Sequence, residues 1–329
     1  MAGETMLAAR YATAGPDAGS LEVAELPRPQ PGPGQVLVRV AVAGINPSDW
    51  KSRRRGGTTE GHDFVIPGQD GAGEIAAVGE GVDSARVGQR VWLFEGQWQR
   101  SEGTAAEWIA IDASRAVALP DGISFDQAAG LGIPALTAHR CLHADGSITG
   151  AAVLVHGGAG AVGHAAIELA RFAGARAAAT VSSQDKARLA AAAGAELVVN
   201  YRSDDVAAAV RAWAPDGVAR IVDVDVTANL QVDTKVVAAN GAIASYAVRP
   251  EPVVLGRELM VKNVVVRFVL VYSMPEEAKQ AAVRDIDAAL RAGALTPMPA
   301  TRFPLAEIEA AHDAVEGGAV GKVLLDLPG

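Results

Sequence analysis

The chain has 329 residues, 50% of them hydrophobic, a net charge of −9 at pH 7 and one cysteine, Cys141. That length accommodates two domains with sizeable cores, and the acidic balance argues against a protein built to grip a phosphate backbone, so nucleic acid is not an expected partner. A single cysteine excludes an intrachain disulfide and a cysteine-built zinc site.

Residues 1–19 lack a basic segment followed by an apolar one, so no secretory signal is read and a cytoplasmic location is expected. Short strand patterns then succeed one another at 6–11, 21–25, 35–43, 73–78, 90–94 and 105–111. They are punctuated by Pro29-Gln30-Pro31-Gly32-Pro33-Gly34 and other Gly and Pro clusters. This is the pattern of a compact, partly closed β barrel. Within it, Asn46-Pro47-Ser48-Asp49 has turn chemistry. The basic group Lys51, Arg53, Arg54 and Arg55, followed by Gly56-Gly57, reads as a solvated loop. Trp50, Trp92, Trp98 and Trp108 read as barrel core.

Beyond residue 125 strands and helices alternate, with strands at 151–155, 176–181, 196–201, 220–224, 242–246 and 264–271. Such alternation predicts an α/β fold with a doubly wound parallel sheet. The most apolar stretch, 253–271, is interrupted by Arg257, Glu258, Lys262 and Arg267, which excludes a membrane span and leaves a buried parallel strand at 263–271. A helix at 275–292, an extended piece around Arg302-Phe303-Pro304-Leu305, a helix at 306–315 and a strand at 322–327 close the chain. The chain thus divides into a barrel part, 1–125, a doubly wound sheet, 126–272, and a last segment, 273–329.

The run His156-Gly157-Gly158-Ala159-Gly160-Ala161-Val162-Gly163 lies between the 151–155 strand and an amphipathic helix starting near Ala161. In that context it predicts a dinucleotide site. Gly158 is expected to make the tight turn, Gly160 to admit a phosphate, and Gly163 to bring helix and strand together, with the amides at the helix start pointing at the phosphates. Val162, Ala166, Leu169 and Ala173 form the face turned to the sheet; His164, Glu168 and Arg171 form the opposite face.

At the end of the next strand, Thr180-Val181-Ser182-Ser183 stands where an NAD site usually presents an acidic residue to the ribose. Asp185 follows late, with Lys186 and Arg188 behind it, which suits the 2′-phosphate of NADP. Ser183 is equally suited to cap the following helix, with Lys186 and Arg188 on its solvated face.

Several segments taken together resemble the medium-chain dehydrogenase/reductase superfamily, in its zeta-crystallin-like NADPH:quinone oxidoreductase family. They are Ala43-Gly44-Ile45-Asn46-Pro47-Ser48-Asp49, Ile66-Pro67-Gly68-Gln69-Asp70-Gly71-Ala72-Gly73, Gly132-Ile133-Pro134-Ala135-Leu136-Thr137-Ala138, the glycine turn, Asn200-Tyr201-Arg202 and Gly321-Lys322-Val323. The resemblance implies a GroES-like β-barrel catalytic domain, completed by 273–329, and a Rossmann domain, with NADPH in the crevice at the carboxyl ends of the strands. It places Thr137, Gly160, Ala161, Val162, Ser182, Lys186, Tyr201 and Lys322 against the cofactor. The backbone near Ser245 and from Phe268 to Leu270 falls at the nicotinamide end.

Zinc-dependent relatives carry Cys and Gly-His-Glu ligands; here Gly68-Gln69-Asp70 replaces Gly-His-Glu and no cysteine lies near Asn46, so no metal is expected. The six histidines, His62, His139, His143, His156, His164 and His312, are scattered over different elements. Without a Lewis acid, a fixed donor must stabilise the charge that develops on the acceptor oxygen, and Asn46 and Lys51 are the catalytic candidates. Relatives often carry Tyr at the position of Lys51, and Asn-Pro-x-Asp-x-Lys is similar to ene-reductase-like members. The expected activity is hydride transfer from NADPH to a small-molecule quinone. The alternatives are an α,β-unsaturated carbonyl as acceptor, or a non-catalytic NADPH-binding protein. Relatives pair through the edge strand of the Rossmann sheet, so a homodimer using the 264–271 strand is expected.

Overall fold

A computed structural model describes residues 4–14, 18–55 and 61–328, which divide into two compact units: 1–133 with 297–329, and 134–296. The boundaries fall after the expected 125 and 272, because the helix at 276–291 packs with the second unit and only the last segment returns to the first. Gly56-Gly57 lie outside the described residues.

In chain order the first unit runs β1 (Thr5–Ala12), β2 (Leu21–Pro27), β3 (Gln35–Ile45), α1 (Pro47–Arg54), β4 (Phe64–Val65), β5 (Asp70–Val78), β6 (Arg90–Leu93), β7 (Trp108–Asp112), β8 (Ala116–Ala118) and α2 (Phe125–Ala129). β1 pairs with β2 and β4 in a small sheet. β3 organises the larger one. It pairs along one edge with β5, while its other edge is shared, first by β7 and then by a strand from the end of the chain. Register shifts at Leu37/Val38 and Val40/Val42 mark where β3 bends to serve both partners. The two sheets close over Met6, Ala8, Val36, Val38, Ile75, Val91 and Ile109, an apolar core whose removal from water drives this unit's folding. Trp92 is fully buried, whereas Trp50, Trp98 and Trp108, also read as core, are half-buried.

The basic group at 51–55 is not a loop. Pro47 at the first helical position and Asp49, whose carboxylate accepts the Asn46 backbone N–H at 2.7 Å, start α1, and the basic residues fill its last turn, where the helix dipole favours them. Arg53 is buried and donates to the Gly19 carbonyl at 3.3 Å.

The second unit contains α3 (Gly132–His143, entering from the first), β9 (Ala152–His156), α4 (Ala161–Phe172), β10 (Arg176–Val181), α5 (Gln184–Ala192), β11 (Leu197–Asn200), α6 (Val206–Trp213), β12 (Val218–Asp223), α7 (Val226–Val236), β13 (Val237–Ser245), α8 (Arg257–Val261), β14 (Val265–Phe268) and α9 (Glu276–Arg291). Its sheet is parallel throughout, in the order β11-β10-β9-β12-β13-β14, so the order reverses between β9 and β12. Leu154, Ala178, Val199, Val210, Ile221 and Ile243 are at its core.

Two expectations fail in this unit. β14 is shorter than 263–271 and is not buried: among the described residues it has a neighbour on one side only, and Val265 and Phe268 are 42% and 63% exposed. Apolar composition alone does not distinguish an edge strand from a central one. The polar face of α4 meets solvent only at Arg171. His164 and Glu168 are buried because the segment after α9 lies over them, and Glu168 accepts the Thr296 N–H at 3.1 Å.

The chain then returns to the first unit as β15 (Ala300–Pro304), α10 (Ile308–Glu316) and β16 (Lys322–Asp326), with β16 antiparallel to β3 and β15 outside it. His312 of α10 is fully buried, and neither ring nitrogen has a hydrogen-bond partner among the described residues. Burial, with the nearby Arg53 charge, pushes its pKa down to about 3. Between about pH 6.5 and 3 the unfolded chain therefore binds a proton that the native state refuses, so stability is lost as pH falls through this window. Replacing His312 with Leu is expected to flatten the acid side of the stability curve measured by urea melts from pH 3 to 7; an unchanged slope would show that His312 does not cause it.

Candidate functional site

The carboxyl ends of β9, β10, β11, β12, β13 and β14 line one edge of the second unit, at His156, Val181, Asn200, Asp223, Ser245 and Phe268. The glycine turn follows β9, beside the point where strand order reverses, which is where open parallel sheets bind ligands. Its glycines divide the work differently from expectation. Gly157 takes the left-handed conformation, with φ of 70°, and makes the tight turn. Gly158 is a packing glycine: a Cβ there would lie 2.7 Å from the Ala179 Cβ and 3.0 Å from the Ile167 Cδ1. At Gly163 a Cβ would overlap the Gly157 carbonyl, so α4 meets the turn only through glycine. Around Gly160 there is open space, apart from the Gly157 oxygen at 3.4 Å.

Gly160 is also the N-cap of α4 and provides no capping side chain. The amides of Ala161, Val162 and Gly163 have no acceptor within the helix, and the first helical bond is His164 N–H to the Gly160 carbonyl at 2.8 Å. Open backbone and unsatisfied amides at a helix start fit a phosphate group.

One strand away, Ser182 follows β10, and Ser183 caps α5 by accepting the Lys186 N–H at 3.3 Å. Lys186 is half-buried in the first turn of α5 and has no ion pair among the described residues, whereas Arg188 is paired with Asp185. Tyr201 is 54% exposed and donates its backbone N–H to the Val181 carbonyl at 3.0 Å, which sets it next to Ser182. The structure thus brings Ser182, Lys186 and Tyr201 to one corner. Thr137 is buried on α3. Ser245 is buried and engaged: its hydroxyl donates to the Ala247 carbonyl at 2.8 Å and its own carbonyl accepts the Val269 N–H at 2.8 Å, while Phe268 and Leu270 are exposed beyond it.

Beneath the turn lies a network that sequence reasoning missed. His156 Nε2 is 2.8 Å from Asp233 Oδ1, and its Nδ1 is 3.0 Å from the Thr180 hydroxyl. Asp223 accepts from Asp225 N–H and Asn229 Nδ2. Burial, together with the neighbouring Asp233 charge, raises the Asp223 carboxyl to about 6. His156 and Asp233 are 77 residues apart and share no motif, so only the fold brings them together.

In the first unit a second polar cluster assembles from segments far apart in sequence. Asn46 Nδ2 donates to Asp70 Oδ2 at 2.7 Å, Lys322 Nζ donates to Asn46 Oδ1 at 2.8 Å, and Lys322 Nζ lies 3.4 Å from Asp70 Oδ2. The other Asp70 oxygen accepts the Ile133 N–H at 2.8 Å. All four residues of the cluster, Asn46, Asp49, Asp70 and Lys322, are buried. Burial pushes the Asp70 carboxyl up against the pull of the Lys322 ammonium. It takes Asp49 to about 7, with help from the Asp70 charge.

Lys322, expected against the cofactor, thus points its ammonium into this cluster. Lys51 does not join it: its side chain is exposed, with the ammonium 5.5 Å from the Trp50 ring centre. Gln69 is tied to Gln97 through its amide. Among the described residues, no group of three or more His, Cys, Asp or Glu side chains is placed to hold a metal ion.

Residues 32–121 match the family model of the alcohol dehydrogenase GroES-like domain, and residues 161–288, wholly within the second unit, match that of the zinc-binding dehydrogenases. The quinone oxidoreductase of Rattus norvegicus is 30% identical over 301 residues, covering 90% of each chain. Among solved structures, the quinone oxidoreductase of Pseudomonas syringae pv. Tomato DC3000 superposes with a TM-score of 0.83 at 26% identity. The mycobacterial Rv1454c complexed with NADPH gives 0.83 at 29%; each covers 98% of this chain and all of the other. With both domains matched and the motif segments converging on two polar sites, the chain belongs to the medium-chain dehydrogenase/reductase superfamily, in its zeta-crystallin-like quinone oxidoreductase family.

Proposed function

We propose that this protein is a zinc-independent, NADPH-dependent oxidoreductase that reduces quinones. The observation that carries the reading is the buried cluster of Asn46, Asp70 and Lys322, in which the Lys322 ammonium faces the amide and the carboxylate. Amide groups at Asn46 and Gln69 are poor zinc ligands, and both are already engaged. The NADPH found with the mycobacterial relative supports the same cofactor here.

In this reading the amides of Ala161, Val162 and Gly163, beside Gly160, hold the pyrophosphate, and Ser182, Lys186 and Tyr201 hold the 2′-phosphate. Thr137 and the backbone around Ser245, Phe268 and Leu270 hold the nicotinamide half. NADPH supplies a hydride when bound. Asn46 donates its remaining amide N–H to the acceptor's carbonyl oxygen, stabilising the charge that develops there. Lys51, exposed on α1, supplies a second donor and favours an enone as the runner-up acceptor.

NADPH is expected to bind at least about tenfold more tightly than NADH, a difference of about 1.4 kcal/mol that one charged contact supplies. Lys186→Ala should remove that preference while leaving NADH affinity nearly unchanged, as read by fluorescence titration; equal losses for both cofactors would assign Lys186 to the fold.

The activity test is NADPH consumption against a panel of quinones and enones. Asn46→Ala and Lys51→Ala should lower turnover roughly 5-fold to 150-fold, the value of one lost hydrogen bond of about 1 to 3 kcal/mol, with enones suffering more than benzoquinones. NADPH binding without turnover of any acceptor would instead support the non-catalytic alternative.

No helix among the described residues is long and apolar enough to cross a membrane. The reading includes a cytoplasmic homodimer formed at the exposed edge of β14, where Val265 and Phe268 leave unpaired backbone and apolar surface. Light scattering that returned the 33.7 kDa mass of one chain at micromolar concentration would exclude the dimer.

A further inference from the structure

The reading above makes Asn46 a donor, but an asparagine amide has two chemically opposite ends and turns over easily. What fixes its direction here is visible in the cluster. The amide oxygen accepts from the Lys322 ammonium at 2.8 Å, and one N–H donates to the Asp70 carboxylate at 2.7 Å. In the flipped amide, NH2 would face an ammonium, which only donates, and the oxygen would face a carboxylate, which only accepts. Both contacts would turn repulsive in a buried site where water cannot relieve them.

The surrounding backbone is shaped to keep both partners in place. A Cβ on Gly44 would overlap the Ala129 carbonyl and lie 2.9 Å from Lys322 Cε, so the lysine stem passes over bare backbone. A Cβ on Gly132 would overlap Asp70 Oδ1, and the Ile133 N–H holds that oxygen at 2.8 Å. β16 pairs with β3 so that Leu324 is opposite Gly44 and Val323 opposite Ile45, which delivers Lys322 alongside Asn46.

We propose that Lys322 and Asp70 are positioning residues for Asn46: they lock its amide in one orientation, leaving a single N–H as the donor presented to the acceptor oxygen. Lys322 therefore acts on turnover through Asn46 and not by contact with the cofactor. The proposal rests on the reading of Asn46 as the donor, and the experiment separates the two.

Asn46→Ala, Lys322→Met, the charge-balanced pair Lys322→Met/Asp70→Asn and the pair Asn46→Ala/Lys322→Met are compared by steady-state and single-turnover kinetics with an α,β-unsaturated ketone. NADPH titrations and thermal melts accompany them. Lys322→Met is expected to lower kcat by roughly the same 5-fold to 150-fold as Asn46→Ala, with NADPH affinity within about threefold of the parent. Asn46→Ala/Lys322→Met should be no slower than Asn46→Ala alone, since a lock has no effect once the amide is gone. The charge-balanced pair carries the same expectation if Lys322→Met alone melts too early to assay.

Four outcomes overturn the proposal. Additive losses would give Lys322 a role independent of Asn46. A tenfold or greater loss of NADPH affinity at normal kcat would make Lys322 a cofactor contact. Normal turnover in Lys322→Met, with Asn46→Ala impaired, would leave the donor reading standing and remove the lock. Normal turnover in Asn46→Ala would fail the donor reading itself, and the lock with it.

Discussion

Gly163→Ala is expected to weaken NADPH binding by at least about 100-fold, some 2.8 kcal/mol, because the added methyl would overlap the Gly157 carbonyl at the turn that presents the amides proposed to hold the phosphate. The Gly157 carbonyl carbon and Gly158 Cα both lie 2.9 Å from the new Cβ, so the obstruction is backbone, which cannot turn aside as a side chain can. The helix must then lift from the turn, taking the amides of Ala161 and Val162 with it, and a fall in melting temperature should accompany the lost affinity. Gly160→Ala provides the contrast. Its Cβ would meet only the Gly157 oxygen at 3.4 Å, so the melt should stay near that of the parent while the methyl occupies the space through which a phosphate approaches. Fluorescence titration with NADPH and a thermal melt of each variant check both statements. Parent-like affinity in both variants would move the phosphate site away from this turn.

Asp70→Ala is expected to destabilise the first unit by about 3 to 5 kcal/mol, the usual loss when one partner of a buried ion pair is removed. Three donors lose their acceptor together: Asn46 Nδ2, the Ile133 N–H and the Lys322 ammonium. The ammonium dominates, since a buried unpaired charge costs more than an unpaired amide. Adding Lys322→Met should therefore recover part of the loss, giving a favourable coupling in a double-mutant cycle read by urea denaturation. If the two losses simply added, Asp70 and Lys322 would be energetically independent despite their 3.4 Å separation.

How much of this was legible in the chain differs between the two sites. The dinucleotide turn could be read because all its parts are local: strand, glycines and helix occupy consecutive residues, and each glycine answers a steric demand of its near neighbours. Even there the tight turn was assigned to Gly158, when Gly157 takes the positive φ and Gly158 makes room for Ala179 and Ile167. Motif spacing says that bare backbone is needed, but not which residue turns. The α1 helix was missed, although its start was written in Pro47 and in Asp49 three residues after Asn46, because its polar and basic residues give no apolar stripe. The burial of His164 and Glu168 depends on Thr296, more than a hundred residues away, which helical periodicity does not record.

The sequence by itself determined the two architectures, their order along the chain and the glycine turn between strand and helix, since hydrophobic period, glycine spacing and helix-start chemistry act over a few residues. Only the tertiary structure decided where the charges lie. Asn46, Asp70, Ile133 and Lys322 come from four separate segments, and they meet because β16 pairs beside β3 on one edge and β5 on the other. The same holds for His156 with Asp233 and for the uncovered edge at β14. Hydrogen bonds between buried polar groups, and the side of a sheet left without a neighbour, are set by how distant segments pack, and no local pattern in the chain encodes that packing.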